Sequence, residues 1–318
     1  SKGGRKMSKQ ATISSASKKK RPINAVSVPA EVVINIILGL FCLCCIVPFI
    51  FVVIISFSSE DSIRQIGYSF VPVEWATEAY QYVLKLGDAL WRSYFNSFFI
   101  TIVGTILSVL VCILYSYALF RRDYKFRSFF TFFSFFTMMF GGGLAPTYYI
   151  CKSVLGLQDN YWALIIPLMF NPFNVIVMRT FFQSSVPEEL IESASIDGSG
   201  EYNTLFKIVV PISKPGIATV ALLNALAYWN EWFTAMLYIR DSKYVPLQRL
   251  LQQMQKNADF LAKNSSMLGA DAAKAAVNLP TESLKMALVV LIVVPITFAY
   301  PFFQRYIVAG LTIGSVKG

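Results

Sequence analysis

The most chemically distinctive part of the chain is an acidic stretch within residues 184–214. Its carboxylates are Glu188, Glu189, Glu192, Asp197 and Glu201, against the cations Lys207 and Lys214. The chain contains no histidine, the commonest general base near neutral pH and the commonest metal ligand. Its five cysteines show no zinc or disulfide spacing. These absences give little support to an enzyme. They leave open whether the acidic stretch contacts a partner or only connects two helices.

The local pattern of the acidic stretch predicts helix, turn, helix. Pro187 suits a first helical turn, and the two glutamates after it lie at the positive end of the helix dipole. Gly198 suits the left-handed position that ends the first helix. A second short helix is predicted from Glu201 to about Val209, ending at Pro211. The pattern therefore indicates a compact helical finger.

A second set of polar and aromatic residues lies in apolar segments and is predicted to line a substrate pathway. Its members are Tyr148, Asn171, Asn174, Asn224, Tyr228, Trp229, Asn230, Glu231 and Trp232. An acid within a membrane span is a functional-site hypothesis by default, and aromatic faces with amides suit sugars. Other readings stay open. Trp and Tyr also favour membrane interfaces, and the asparagines that flank Pro172 can repair a broken helix.

The composition of the chain indicates a membrane protein. Of its 318 residues 55% are hydrophobic and 14% charged, and the mean hydropathy is +0.55, whereas soluble domains carry about a quarter charged residues. The net charge of +10 is concentrated at one end, because eight of the 28 Lys and Arg lie in the first 21 residues. A basic tail before a long apolar segment is typical of a cytoplasmic N-terminus, and it does not point to nucleic acid.

Six apolar segments are long enough to cross a bilayer. They are predicted at residues 32–57, 94–118, 128–150, 161–178, 215–239 and 286–303. The basic loop 121–127 belongs inside by the positive-inside rule, and an even number of crossings returns the C-terminus to the cytoplasm. The prediction is an all-α integral membrane protein with a disordered basic tail, residues 1–30, and a transmembrane domain, residues 31–318. The outer segments 58–93 and 240–281 either touch an extracellular partner or pack on their own domain.

The acidic stretch resembles the EAA loop of binding-protein-dependent ABC importers. The run Glu192-Ser193-Ala194, then Gly198 after three residues, then Ile208 and Pro211, keeps the spacing of that motif. Ser193 stands for the first Ala of the motif, and Val210 for its Leu. Both are small changes that a docked helix tolerates.

The resemblance extends over nearly everything from about residue 30 to the end. Asn96-Ser97 and the run from Tyr117 to Arg121 are similar to the second span of maltose-type sugar permeases. The Trp-Asn-acid cluster 229–232 matches the fifth span of that family. Residues 141–148 and 310–318 resemble the complex-carbohydrate branch of Gram-positive bacteria, whose members import oligosaccharides.

The resemblance implies a type I importer permease in a bacterial plasma membrane. Its partners would be a second homologous permease, two ATPase subunits, an extracytoplasmic substrate-binding lipoprotein and membrane lipid. The residues implied to couple to the ATPase are Glu188, Glu189, Glu192, Ser193, Ala194, Asp197 and Gly198. No G-x-x-x-x-G-K-[ST] sequence occurs, so ATP and magnesium are expected on the partner ATPase and no cofactor on this chain. The alternative is a self-contained secondary carrier or channel for a small polar solute, which needs no ATPase.

Overall fold

The computed structural model describes residues 28–264 and 280–315, and the regular structure within these ranges is helical. A single isolated antiparallel bridge joins Ser58 to Trp75 in the described part. The chain divides into two compact units, residues 1–50 and 51–318. The predicted basic tail lies outside the described residues up to residue 27. So does the polar stretch 265–279.

The helix α1, Val28–Ser56, carries the first predicted span. Its sequence is almost uniformly apolar, with Pro48 inside the helix. Its large side chains from Val32 to Ile50 are exposed, so the helix presents hydrocarbon around its circumference. A helix that is hydrophobic all round suits a bilayer.

The second unit contains the remaining helices. They are α2 (Glu60–Ile66), α3 (Glu78–Leu84), α4 (Asp88–Phe120), α5 (Arg127–Met139), α6 (Leu144–Tyr149), α7 (Trp162–Met169), α8 (Pro172–Ser185), α9 (Glu188–Ile196), α10 (Glu201–Thr204), α11 (Val210–Ile212), α12 (Lys214–Trp229), α13 (Phe233–Tyr238), α14 (Leu247–Lys263) and α15 (Thr281–Ser315). Two π-helical turns, Ile150–Val154 and Leu205–Val209, follow α6 and α10. The long helix α4 packs against α7, α8 and α12 and forms the centre of the unit.

Three described helices are long and apolar enough to cross a membrane unbroken: Pro29–Ser56, Asp88–Phe120 and Thr281–Gln304. Three bent pairs also qualify if each pair counts as one span. They are Arg127–Met139 with Leu144–Val154, Trp162–Met169 with Pro172–Ser185, and Glu201–Ile212 with Lys214–Trp229. The described residues thus hold three to six spans, and the six-span count stays a prediction.

The third predicted span, residues 128–150, is not one continuous helix. Its two parts meet at 111°, and the break falls at residues 140–143, which include the glycine triplet. Gly143 has a φ of 85°, in the left-handed region that favours glycine. Glycine is also the weakest helix former after proline, so the triplet ends the helix inside the apolar run.

The fourth and fifth predicted spans are also interrupted. Residues 161–178 break at Phe170 and Asn171, because the residue before a proline is pushed out of the helical region. The helix that begins at Pro172 then continues to Ser185, beyond the predicted end. In residues 215–239 the helix stops at Trp229, and a new short helix starts at residue 233.

The second helix of the acidic stretch ends one residue after the predicted Pro211, since the chain stays helical through Ile212. At Ser213 it bends by 85° into α12. Ser213 is fully buried at this bend.

The described parts of both outer segments pack on their own domain. Leu247, Leu251 and Met254 of α14 form a buried cluster with Val83 of α3 and Leu284 of α15. This packing matches the second of the two readings of the outer segments. These contacts hold α14 against α3 and α15.

A buried carboxylate caps the longest helix of this unit. Glu60 is 7% exposed, and its carboxylate accepts hydrogen bonds from the backbone N–H groups of Glu282 and Ser283. An anion is favourable at a helix N-terminus because the first N–H groups have no partner within the helix. Glu60 therefore fixes the start of α15 against α2.

Candidate functional site

The helical finger of residues 187–204 is the first candidate site. Glu188 and Glu189 open α9 at the positive end of its dipole. The helix ends at Ile196, and two residues later Gly198 has a φ of 78° and an N–H that bonds the carbonyl of Ser195 at 3.1 Å. The next N–H, of Ser199, bonds the carbonyl of Ala194 at 2.9 Å. This pair of bonds is a Schellman ending, and it gives Gly198 the left-handed conformation that the sequence predicted.

The helix α9 has one buried face and one free face. Ile191 and Ala194 are buried, and Ile191 joins the core cluster that contains Phe120, Phe182 and Leu205. The implied coupling residues on the other positions are exposed or half-buried: Glu188, Glu189, Glu192, Ser193, Asp197 and Gly198. Six of the seven implied coupling residues are therefore accessible. Ala194 instead lies on the buried face of α9 with Ile191.

Apolar side chains are exposed at the tip of the finger. Ile196 is 86% exposed and Tyr202 75% exposed, on either side of the turn at Gly198. Leu190 and Phe206 add further exposed apolar surface nearby in the sequence. Exposed apolar groups in one patch are typical of a protein contact surface. The finger offers exposed apolar side chains together with the carboxylates of α9.

The base of the finger is tied to the end of α4 by charged groups. Arg121 forms a 2.9 Å ion pair with Glu201 at the start of α10 and a 2.8 Å ion pair with Asp123. The hydroxyl of Tyr117 donates a 2.6 Å hydrogen bond to the other carboxylate oxygen of Glu201. The hydrogen bonds from Arg121 lower the pKa of Asp123 below its ordinary value. Arg122 pairs in the same way with Glu188 of α9.

Between these ion pairs lies a groove of about 270 Å³. It is lined by Phe120, Arg121 and Arg122 from one side and by Glu188, Ile191 and Glu192 from the other. Sequence reasoning did not identify Arg121, Tyr117 and Glu201 as a unit. The available signal was the complementary charge of the basic loop 121–127 and the acidic stretch.

The predicted pathway residues do not form one cluster in the described structure. Asn174 of α8 and Asn224 of α12 are both buried and share a 3.1 Å hydrogen bond between helices. Asn171 is exposed and accepts a hydrogen bond from the N–H of Phe173, so it caps α8 after the break. Of the two asparagines that flank Pro172, Asn171 therefore has a local partner and Asn174 has a partner on another helix.

The aromatic residues at the end of α12 are buried. The Tyr228 hydroxyl bonds the carbonyl of Ile165 at 2.9 Å and the Ser108 hydroxyl at 3.0 Å. The indole N–H of Trp229 donates to the carbonyl of Ile292 in α15 at 3.2 Å. These contacts hold α12 against α4, α7 and α15. Both side chains are almost fully buried, and Trp229 also lines an apolar cleft.

The remaining predicted residues lie at the break after α12 and on α6. Glu231 is half-buried, and it accepts a 2.6 Å hydrogen bond from the N–H of Thr234, so it caps α13. Asn230 and Trp232 are exposed. Tyr148 is half-buried and stacks on Tyr238 with a ring separation of 5.6 Å. A role of these residues in substrate binding stays a prediction. The described residues contain no cluster that could hold a metal ion.

The family model described as binding-protein-dependent transport system inner membrane component matches residues 126–313, and the chain belongs to this family. It is therefore a membrane component of an ABC transport system, a family that works with an ATPase and a substrate-binding protein. This membership favours the predicted permease subunit over the self-contained carrier or channel.

Known relatives cover most of the chain. The polygalacturonan/rhamnogalacturonan transport system permease protein YtcP of Bacillus subtilis is 39% identical over 88% of this chain and 95% of its own length. Protein LplC of the same organism is 41% identical over 86% and 90%. A solved bacterial ABC transporter involved in the import of the acidic polysaccharide alginate superposes with a TM-score of 0.73 at 31% identity, covering 90% of this chain and 99% of the other. These similarities confirm the predicted family and the all-α membrane fold, while the orientation of the termini stays a prediction.

Proposed function

We propose that this chain is one of two homologous permease subunits of an importer that moves an oligosaccharide into the cell. The other components are two ATPase subunits and an extracytoplasmic substrate-binding lipoprotein. The carbohydrate class is supported by relatives named for the transport of polygalacturonan, rhamnogalacturonan and arabinooligosaccharides. It is supported further by the structural similarity to an alginate importer.

The observation that carries the proposal is the shape of the finger. Its tip is apolar and free, with Ile196 86% exposed, whereas its base is fixed to α4 through Arg121 and Glu201. A helix that only connects two spans has no need of an exposed isoleucine beside a tight turn. A helix that docks in a groove of another protein buries such a residue on binding. The groove belongs to the ATPase subunit.

The energy for transport comes from the partner. The chain has no phosphate-binding loop sequence, so ATP and magnesium bind the ATPase subunits, and this chain hydrolyses nothing. When ATP closes the two ATPase subunits, the docked finger moves with them. The ion pairs at its base transmit that movement to α4, and the spans rock as near-rigid bodies between inward- and outward-facing states.

Alternating access requires two packed arrangements of similar free energy. ATP and the loaded lipoprotein shift the balance only by as much as their affinities for the two states differ. A shift from 1:99 to 99:1 needs about 5.5 kcal/mol, a quantity that nucleotide binding and the lipoprotein supply together.

The predicted pathway residues divide into two roles in this proposal. The exposed or half-buried members offer aromatic faces and polar groups to the sugar. They are Tyr148, Asn171, Asn230, Glu231 and Trp232. The buried members fix the helices that form the pathway. They are Asn174, Asn224, Tyr228 and Trp229.

The direct test is Ile196→Asp in the complete transporter. Because Ile196 contacts little within its own chain, the substitution leaves the fold intact and places a charge in the apolar contact with the ATPase. We expect loss of uptake and weaker co-purification of the ATPase. The matched control is Ile66→Asp, since Ile66 is also exposed but lies on the predicted outer side.

Uptake with Ile196→Asp at the level of the control would overturn the docking role of the finger. Uptake by this chain reconstituted alone, without any ATPase, would overturn the importer assignment itself. ATP-driven transport that no oligosaccharide stimulates would be consistent with an importer but would contradict a carbohydrate substrate.

A further inference from the structure

Two arginines at the junction of α5 and α8 have no counter-ion within the described part of the chain. The guanidinium of Arg127, at the first position of α5, makes no hydrogen bond or ion pair with any described residue. Arg179 of α8 is half-buried, and its Nε is fully buried without a hydrogen-bond partner. The neighbouring arginines differ, because Arg121 and Arg122 are paired with Glu201 and Glu188.

The packing of α5 on α8 brings the two arginines to the same place. Phe130, one turn after Arg127, packs against the core cluster that includes Met178 and Phe182 of α8. Because α5 packs on α8, the charge of Arg127 lies within electrostatic range of the Arg179 guanidinium. Two like charges at close range repel, and a buried guanidinium nitrogen without an acceptor is costly. An anion between them would remove both costs.

A cleft opens beside these residues. Its volume is about 350 Å³, and its lining includes Arg127 and Gln183, the latter one turn after Arg179 on the same face of α8. Its rim also carries Glu188 and Glu189. Glu188 is engaged by Arg122, and Glu189 forms no ion pair with either free arginine in the described structure. Of the two arginines that line the cleft, Arg122 is neutralised by Glu188, whereas Arg127 pairs with neither acid.

From this arrangement we propose that Arg127 and Arg179 form an anion-binding site that takes a phosphate or a carboxylate. The planar guanidinium donates parallel hydrogen bonds that match both groups. One source is the headgroup of an anionic phospholipid, because the loop before α5 is the one predicted to lie at the cytoplasmic membrane surface. The other source is the carboxylate of an acidic sugar in transit, and this one depends on the proposed function.

The test uses the complete transporter with Arg127→Gln and Arg179→Gln, singly and together. Arg179→Lys keeps the charge without the planar fork, so it is expected to retain part of the binding. Lys125→Gln is the control, because Lys125 is an exposed cation of the same loop. In the first arm, the apparent affinity for phosphatidylglycerol is measured by native mass spectrometry without sugar. In the second, ATP hydrolysis is measured against oligogalacturonate and against a neutral arabino-oligosaccharide.

We expect the double variant to have an apparent affinity for one of the two ligands that is about tenfold lower, or lower still, than that of Lys125→Gln. Loss of phosphatidylglycerol affinity assigns the site to the lipid headgroup. A selective loss of the oligogalacturonate response assigns it to the substrate. Equal affinities in the double variant and the control overturn the proposal, and if the double variant does not accumulate, Arg127→Gln alone decides. If neither sugar changes ATP hydrolysis by the wild-type transporter, the proposed substrate class is wrong. The phosphatidylglycerol measurement then still tests the anion-binding site.

Discussion

The hydroxyl of Tyr117 donates a 2.6 Å hydrogen bond to Glu201, which joins the last turn of α4 to the first residue of α10. The same carboxylate is held by Arg121 at 2.9 Å. Tyr117 is buried and belongs to the core cluster of α4 and α8. The finger is therefore connected to the core of the transmembrane unit by a short polar path, and the strength of this path can be tested.

Tyr117→Phe removes the hydroxyl and keeps the ring. A hydrogen bond to a charged group contributes about 1.5–3 kcal/mol, and we expect only about 1 kcal/mol here because the Glu201 side chain is 58% exposed. Thermal unfolding of the complex should report this loss, and uptake per ATP hydrolysed should fall. Tyr149→Phe is the control, since Tyr149 is exposed, lies outside the finger, and its hydroxyl has no partner among the described residues. Equal uptake per ATP in the two variants would show that the bond does not transmit movement.

Gly198→Ala tests the turn at the tip of the finger. Gly198 has a φ of 78°, which costs a residue with a Cβ about 1–2 kcal/mol. Gly200→Ala is the matched control, because Gly200 has a φ of −70° and an added Cβ at either position meets open space. We expect weaker ATPase association only for Gly198→Ala, measured by co-purification. Equal association in both variants would show that the left-handed turn is not needed for docking.

Gly104→Ala tests the contact between α4 and α12. An added Cβ would lie 2.6 Å from the Tyr228 ring, and the hydroxyl of that ring is fixed by Ile165 and Ser108. Because these hydrogen bonds restrict movement of the ring, we expect the free energy of unfolding to fall by about 1–3 kcal/mol. Thermal unfolding is the measurement. In Gly39→Ala, the control, the new methyl group meets nothing within 4 Å. An unchanged melting temperature for Gly104→Ala would contradict the close packing.

Asn174 and Asn224 form the third testable contact. Replacing each by alanine, singly and together, gives a double-mutant cycle for their hydrogen bond between α8 and α12. We expect a coupling energy of about 0.6–2 kcal/mol, as for polar pairs between membrane helices. The substrate concentration for half-maximal uptake should stay unchanged if both are structural. A large rise in the substrate concentration for half-maximal uptake, with no coupling energy between the two positions, would indicate that these residues contact the substrate.

Asp159 gives a pH prediction. The backbone N–H groups of Asp241 and Arg240 bond its carboxylate and lower its pKa below the ordinary value. A lowered pKa in the folded state contributes stability above the unfolded value of about 4, and this contribution is lost as the pH falls through the folded value. The melting temperature of the wild type should therefore exceed that of Asp159→Asn at neutral pH, and the difference should shrink in acid.

The comparison for Asp159 is Asp61→Asn, because the Asp61 side chain is exposed and accepts no hydrogen bond from the described residues. The asparagine at position 159 tolerates the observed φ of 50°, so backbone strain does not enter. A constant difference between wild type and Asp159→Asn across the acid range would show that these backbone hydrogen bonds do not favour the ionised carboxylate.

The family, the helical membrane fold and the turn at Gly198 could be predicted from the sequence because each depends on a local pattern. Apolar length indicates a span, and a glycine after a helical run indicates its end. The breaks at the Gly143 and Pro172 positions carried local signals too, but the apolar runs around them were uninterrupted and dominated the prediction. The partners of Asn174, Tyr228 and Glu201 come from other helices, and a single sequence does not show which helices pack together.

The bend at Ser213 gives the finger mechanical leverage. The helical segment Glu201–Ile212 meets α12 at 85°. A displacement along the axis of that segment would therefore tilt α12 about the buried Ser213. The sixteen residues of α12 span about 24 Å, so a tilt of about 5° moves the far end by about 2 Å. That far end is where Trp229 meets α15 and where the helix breaks before Glu231. If the finger docks on the ATPase as proposed, a small displacement there would move the opposite end of α12 sideways by this amount.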